Sequence, residues 1–214
     1  MTIFGTYSLE KFDIDHSDRL YLFAKDPMLE HLLQFDRHLF HFINHDLGNP
    51  FFDWLMPLLR EPKFWIPLYI FIFCFCIYRY KKAGLYIIVL LALTFGVADR
   101  GSAGIGKNLV KRVRPCNDPS LSKTIIMRIP CGTGYSFPSA HASNHFAIAA
   151  FLCLVFFRKW RWIWLWAILW AGSVCFAQVY VGVHFPVDVT AGALYGILVG
   201  SLFALLFKKL QPNF

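Results

Sequence analysis

Between two long apolar runs, the stretch Gln178-Val179-Tyr180-Val181-Gly182-Val183-His184-Phe185-Pro186-Val187-Asp188 places a histidine and an aspartate four residues apart. Ionisable side chains in so apolar a setting are costly, and they persist where they are paired and used. An aspartate that fixes one imidazole nitrogen as N–H leaves the other as a nucleophile or base. His184 is therefore read as the reacting residue and Asp188 as its orienting partner. Such a pair can also be purely structural, so the reading depends on what else the chain supplies.

Two further clusters supply it. Lys107 and Arg114 are seven residues apart, two helical turns, so both cations lie on one side of a helix and can grip one phosphate; Pro115 then stops the helix. In Phe137-Pro138-Ser139-Ala140-His141, Ser139 is placed as a helix cap. Its hydroxyl and the N–H groups near Ala140 meet an anion at the positive end of the helix dipole. His141, in the first turn, can hand a proton to a leaving oxygen. His145, one turn on, is read as a helix-packing residue. Gly101–Asn108 fits G-x-x-x-x-G-K, but Asn108 stands where a nucleotide-binding loop needs Ser or Thr, and an apolar helix precedes it where that motif needs a strand. It is read as a site of close packing or local unwinding.

The elements that position these clusters are membrane helices. Of the 214 residues, 57% are hydrophobic, 18% aromatic and only 16% charged, a composition far from that of soluble domains. Apolar runs free of Lys, Arg, Asp and Glu cover 64–78, 83–98, 140–157, 162–177 and 189–207. The fold expected is an all-α integral membrane protein, a compact bundle of about five transmembrane helices over 64–214. Residues 1–63 hold ten of the thirteen acidic residues and no run long enough to cross. They lack the pattern of a cleaved signal peptide. Leu29, Leu32, Leu33, Phe35, Leu39, Phe40, Phe42 and Ile43 mark an amphipathic helix lying on the membrane surface, broken by Asn49-Pro50 before 51–59. His31, His38, His41 and His45 share helical spacing, but no Cys or paired carboxylate in the sequence completes a metal set, and none is expected.

Basic clusters at 79–82, 158–161 and 208–209 follow the first, third and fifth runs. With alternating helices they share one face, the cytoplasmic one by the positive-inside rule. The three chemical clusters then share the opposite, periplasmic or extracellular face of the inner membrane. Arg100, Lys107, Lys111, Arg112, Arg114, Lys123 and Arg128 fall there as well, and an anionic ligand is the reason sought for them. Cys116 and Cys131, in the loop on that oxidising side, are expected to form a disulfide closing about 15 residues.

Taken together and in order, Lys107/Arg114/Pro115, Pro138/Ser139/Ala140/His141 and Gln178/His184/Asp188 resemble the type 2 phosphatidic acid phosphatase family, whose pattern is K-x6-RP, PSGH and SR-x5-H-x3-D and which shares its core with vanadium haloperoxidases. The resemblance implies a metal-independent lipid phosphatase or diphosphatase without cofactor. In it His184 would form a phosphohistidine, Asp188 would orient it, and His141 would serve as acid and then base. Lys107, Arg114, Ser139, Ala140 and Gln178 would hold the phosphate. Undecaprenyl diphosphate is the first substrate expected, with phosphatidylglycerophosphate and lipid A 1-phosphate as alternatives. A phospholipid-binding or transport protein with a modified site is the alternative of another class. The partners expected are a lipid phosphate and the bilayer, with no nucleic acid and an open oligomeric state. Among the departures from the pattern, Ala140 replaces a glycine and Gln178 replaces an arginine. The neutral amide removes a charge from the phosphate site, and Arg100, Arg112 and Arg128 are the cations considered as replacements.

Overall fold

The structure, a computed structural model, describes residues 27–214. Its contacts divide the chain into two units, Met1–Phe35 and Asp36–Phe214, and the second carries everything below. Helix α1 (Pro27–His41) runs into a π-helical turn, Phe42–Asp46. Asn49 then caps α2 (Pro50–Arg60): its side chain accepts from the Phe52 N–H at 2.9 Å, and Pro50 occupies the first helical position, where a missing N–H costs nothing. The amphipathic helix and its break at Asn49-Pro50 thus lie where the apolar spacing puts them.

The bundle follows: α3 (Ile66–Tyr80), α4 (Lys82–Arg100), a π-helical segment Gly101–Gly106, the short α5 (Lys107–Val110), α6 (Ala140–Phe156), α7 (Ile163–Tyr180) and α8 (Pro186–Leu210). Four helical stretches, 62–80, 82–104, 163–180 and 186–210, are long and apolar enough to cross a membrane. Their outer faces expose Phe71, Leu93, Trp166, Leu194 and Leu202, as a lipid-facing surface would. The fifth expected span, α6, has 17 residues, about 25 Å of helix, and it is the central one. Ala142, Ser143, Asn144, His145, Ala147, Ala149 and Phe151 along it are all buried. Because protein surrounds it, α6 tolerates polar residues that a lipid-facing helix excludes.

What sets α6 against α8 is a stripe of small residues. A side chain at Gly192, Gly196 or Gly200 would overlap the backbone carbonyls of Ser139, Ser143 and Ala147 respectively, so the two backbones approach closely along three turns. The same contact joins their starts, where the Ser139 N–H donates to the Asp188 carbonyl at 3.0 Å. Two of the three sequence clusters are therefore brought together by helix packing. The π-helical segment packs likewise: Gly106 abuts Pro138 and Gly101 abuts Tyr195. The glycine-rich stretch serves close approach and local unwinding.

The loop from 111 to 139 lies over these helix ends. Cys116 and Cys131 are bonded across it. Asn44, fully buried, donates to the carbonyls of Ile126 at 2.9 Å and Tyr180 at 2.8 Å and accepts from the Ile126 N–H at 2.9 Å. Arg128 lies 3.9 Å over the Tyr180 ring, donates to the carbonyls of Asn44 and Tyr180, and pairs with Asp53. Asp53 also accepts from the Tyr180 hydroxyl at 2.7 Å. Those two hydrogen bonds, Tyr180 first, hold its carboxyl below the usual range. The π-helical turn, the start of α2 and the loop are thereby clamped to the end of α7.

Candidate active site

Helix α7 ends at Tyr180, and Gly182, at φ +90°, turns the chain so that His184 follows directly. Pro186 then starts α8 with Asp188 in its first turn. There Asp188 Oδ2 accepts the Phe185 N–H at 2.8 Å, capping the helix with negative charge. His184 Nδ1 is 3.7 Å from the same oxygen. His184 is 2% exposed and Asp188 is fully buried. A carboxylate on that side favours the proton on Nδ1 and leaves the lone pair on Nε2.

The second oxygen of Asp188 is also engaged. Arg112 Nη1 donates to Asp188 Oδ1 at 2.8 Å, its Nη2 meets Asp36 Oδ2 at 2.5 Å, and the guanidinium lies 4.0 Å over the Phe185 ring. Asp36 is fully buried, and its Oδ1 accepts the Val187 N–H at 2.8 Å. The order Asp36–Arg112–Asp188–His184 is a chain of alternating charge that begins in α1, outside the three motifs. Sequence reading missed Asp36, because nothing distinguishes it from the other acids of the first 63 residues. It took Arg112 only as a spare cation for phosphate, a role its two carboxylate partners exclude in this arrangement.

Arg114 is 8% exposed. Three carbonyls fix its guanidinium: Gly134 at 3.1 Å, and Thr133 and Val183 at 3.3 Å. Burial pushes its pKa down, and the Asp188 charge partly restores it. The Val183 carbonyl thus ties Arg114 to the residue preceding His184. Ser139 is fully buried at the start of α6, its hydroxyl 3.5 Å from the Ala142 N–H. His141 and Ala140 line the groove described next. Lys107 opens α5, and its side chain lies outside what the structure describes; α5 ends at Val110 and Lys111 turns out of it at φ +51°, so Lys107 and Arg114 do not share the single helix expected to run to Pro115. Gln178 is fully buried near the end of α7, and neither amide atom has a partner. His145 donates from Nδ1 to the His141 carbonyl at 2.8 Å and packs on Trp170, which is a packing role.

Beside His141 an open, mainly apolar groove of about 540 Å³ runs between α3, α4 and α6, lined by Tyr69, Ile72, Phe73, Leu91, Phe95 and Ile148. Its polar end carries Asp99, whose carboxylate accepts from Asn144 at 2.8 Å. An apolar groove with a histidine and polar groups at one end has the form needed to take an amphipathic ligand.

Residues 82–212 match the PAP2 superfamily, well over half of the chain and all three motifs. The chain belongs to the PAP2 superfamily. It is similar to a protein called lipid A 4'-phosphatase from Bacteroides thetaiotaomicron, at 35% identity over 190 residues covering 87% of this chain and 83% of that one. It is also similar to an undecaprenyl-diphosphatase of Sulfolobus acidocaldarius, at 32% identity over 58% of this chain and 55% of the relative. The crystal structure of a PAP2 type phosphatidylglycerolphosphate phosphatase from Bacillus subtilis shares the fold, with a TM-score of 0.68 at 21% identity over 92% and 98% of the two chains. The protein is thus a membrane lipid phosphatase of the PAP2 superfamily. Outside the site, Asp46 brings a carboxylate oxygen within 3.0 Å of His45 Nδ1 and 3.6 Å of His41 Nδ1. The histidine spacing in the sequence did have an acidic neighbour, on an exposed turn.

Proposed function

We propose that the protein removes a phosphate monoester from a membrane glycolipid of the lipid A type through a phosphohistidine, without a metal ion. His184 Nε2 attacks phosphorus while the P–O bond to the lipid breaks, and Asp188 stabilises the imidazolium that forms. His141 protonates the departing lipid oxygen. It then takes a proton from water as that water attacks the phosphohistidine, releasing phosphate and restoring His184. Lys107, Arg114, Ser139 and the N–H groups near Ala140 hold the phosphoryl oxygens, and they stabilise the charge that spreads over them in the transition state. The site faces the periplasm or cell exterior, and the groove beside His141 admits the acyl chains from the bilayer.

The observation that carries this reading is the buried His184–Asp188 pair, with Arg114 held on the Val183 carbonyl next to it in the chain, together with the apolar groove that His141 lines. The glycolipid comes first because the lipid A 4'-phosphatase relative matches along most of both chains. Undecaprenyl diphosphate, the first substrate expected from the sequence, becomes the second reading. What favours it is the apolar lining of the groove, which would suit a polyprenyl tail. Phosphate release from purified lipid A 4'-phosphate, lipid A 1-phosphate, undecaprenyl diphosphate and phosphatidylglycerophosphate, each with EDTA, tests both. The lipid A 4'-phosphate is expected to turn over fastest and His184→Ala to release nothing. Faster turnover of undecaprenyl diphosphate would select the second reading, EDTA-sensitive release would defeat the metal-free step, and no release from any lipid would favour a binding protein.

A further inference from the structure

The site has one neutral residue where the family pattern has a cation, and the structure removes two of the replacements the sequence offers. Arg112 is taken up by Asp36 and Asp188. Arg128 is taken up by Asp53 and by the carbonyls of Asn44 and Tyr180. Gln178 meanwhile is fully buried with both amide atoms unpartnered. A buried primary amide in that state is destabilising and calls for an explanation.

A further cation stands at the end of a helix packed against α7. Helix α2 packs along α7, with Phe52 edge-on to Phe176 and Tyr180. Its last turn puts Leu59 in one packed cluster with Ala177, Cys116 and Val183. Those are the chain neighbours of Arg60, Gln178, the Arg114-Pro115 corner and His184. Arg60 is half-buried, its Nε is buried without a hydrogen-bond partner, and among the described residues no carboxylate lies within ion-pair distance of it. Burial lowers its pKa; the neighbouring Glu61 charge opposes this, and the like charge of Arg114 adds to it more weakly. A partly buried guanidinium with an unsatisfied Nε and no carboxylate partner gains from binding an anion.

We propose that Arg60 supplies to the bound phosphoryl group the positive charge that the family pattern places at position 178. Gln178 then contributes an uncharged N–H and leaves room for the guanidinium arriving from α2. The charge has moved from α7 to its packing neighbour, and the phosphate still meets it beside Arg114. This rests on the phosphatase reading above.

Inorganic phosphate is the probe, its binding to the purified full chain followed by ³¹P line broadening and by inhibition of lipid dephosphorylation. Thermal unfolding in detergent reports folding. Arg60→Gln should weaken phosphate binding and lower kcat/KM by about 10- to 100-fold, the scale of one charge-assisted contact. Arg60→Lys should lose less. Gln178→Arg alone should lower activity by crowding two cations, whereas Arg60→Gln with Gln178→Arg should regain most of both losses. Phosphate affinity in folded Arg60→Gln within twofold of the parent overturns the proposal, as does a double variant no better than Arg60→Gln. If Arg60→Gln does not fold, the double variant decides, since it keeps one cation at the site. A parent that binds phosphate yet dephosphorylates no lipid would defeat the phosphatase reading, leaving Arg60 to be judged by phosphate binding alone.

Discussion

Asp36 and Arg112 meet at 2.5 Å, and the same guanidinium holds Asp188 Oδ1 at 2.8 Å. A carboxylate from the N-terminal helix therefore fixes the cation that fixes the partner of His184. The PAP2 match begins at residue 82, so part of the support for the His184–Asp188 pair comes from chain outside the matched region.

Asp36→Asn keeps an oxygen for the Val187 N–H but leaves Arg112 one carboxylate short. Weakening a buried ion pair from one side costs about 3 kcal/mol where nothing compensates. The retained Asp188 contact should reduce that to about 1–2 kcal/mol. We expect a lower unfolding temperature in detergent and a kcat reduced about tenfold with KM little changed, because Asp36 touches no substrate. A rise in KM with kcat preserved would place Asp36 at the lipid instead.

Gly196→Val tests the contact that brings Ser139 to Asp188. The added side chain overlaps the Ser143 carbonyl, where backbone on both sides leaves nothing to yield. Overpacking of this kind costs about 1–3 kcal/mol. Thermal unfolding should fall accordingly, and activity should fall further than Gly172→Val, since a side chain at Gly172 meets open space.

Much of this architecture was legible in the sequence, and the reasons are physical. Long uncharged runs and proline or serine helix starts report spans and caps directly, because lipid and orphan N–H groups each admit few solutions. The order Lys107–Arg114, Ser139–His141, His184–Asp188 carried the family. Asp36 and Arg60 were illegible, since each acts through tertiary contact with an element distant in sequence. One acid among ten in a polar segment, or one arginine at a helix end, carries no periodic signal. Arg112 shows the converse: its charge was visible, but whether it faced phosphate or carboxylate depended on Asp36.

The groove makes a prediction about tails. Ala92 lines it, and Ala92→Trp should narrow it while leaving the phosphate site intact. KM for a long-chain lipid phosphate should rise about tenfold, the value of one to three buried methylenes. A short soluble phosphomonoester should be hydrolysed as before. Equal effects on both substrates would show that the tail binds elsewhere.

Acid should release the clamp at the end of α7. Asp53 has a folded pKa below its ordinary 3.8, so its contribution is fully present above about pH 4 and is lost as pH falls through the folded value. Asp53→Asn should therefore flatten the decline in unfolding temperature as pH falls below about 4. An unchanged decline would mean that other carboxylates govern it.

The central claim is the covalent step on His184. Rapid acid-free quench of the enzyme with ³²P-labelled lipid phosphate, followed by peptide mapping, reads it directly. The account predicts a phosphoryl group that is stable in base, labile in acid and attached to His184, absent in His184→Ala and present with EDTA. Turnover with no phosphoenzyme under single-turnover conditions, or label on any residue other than His184, would contradict it.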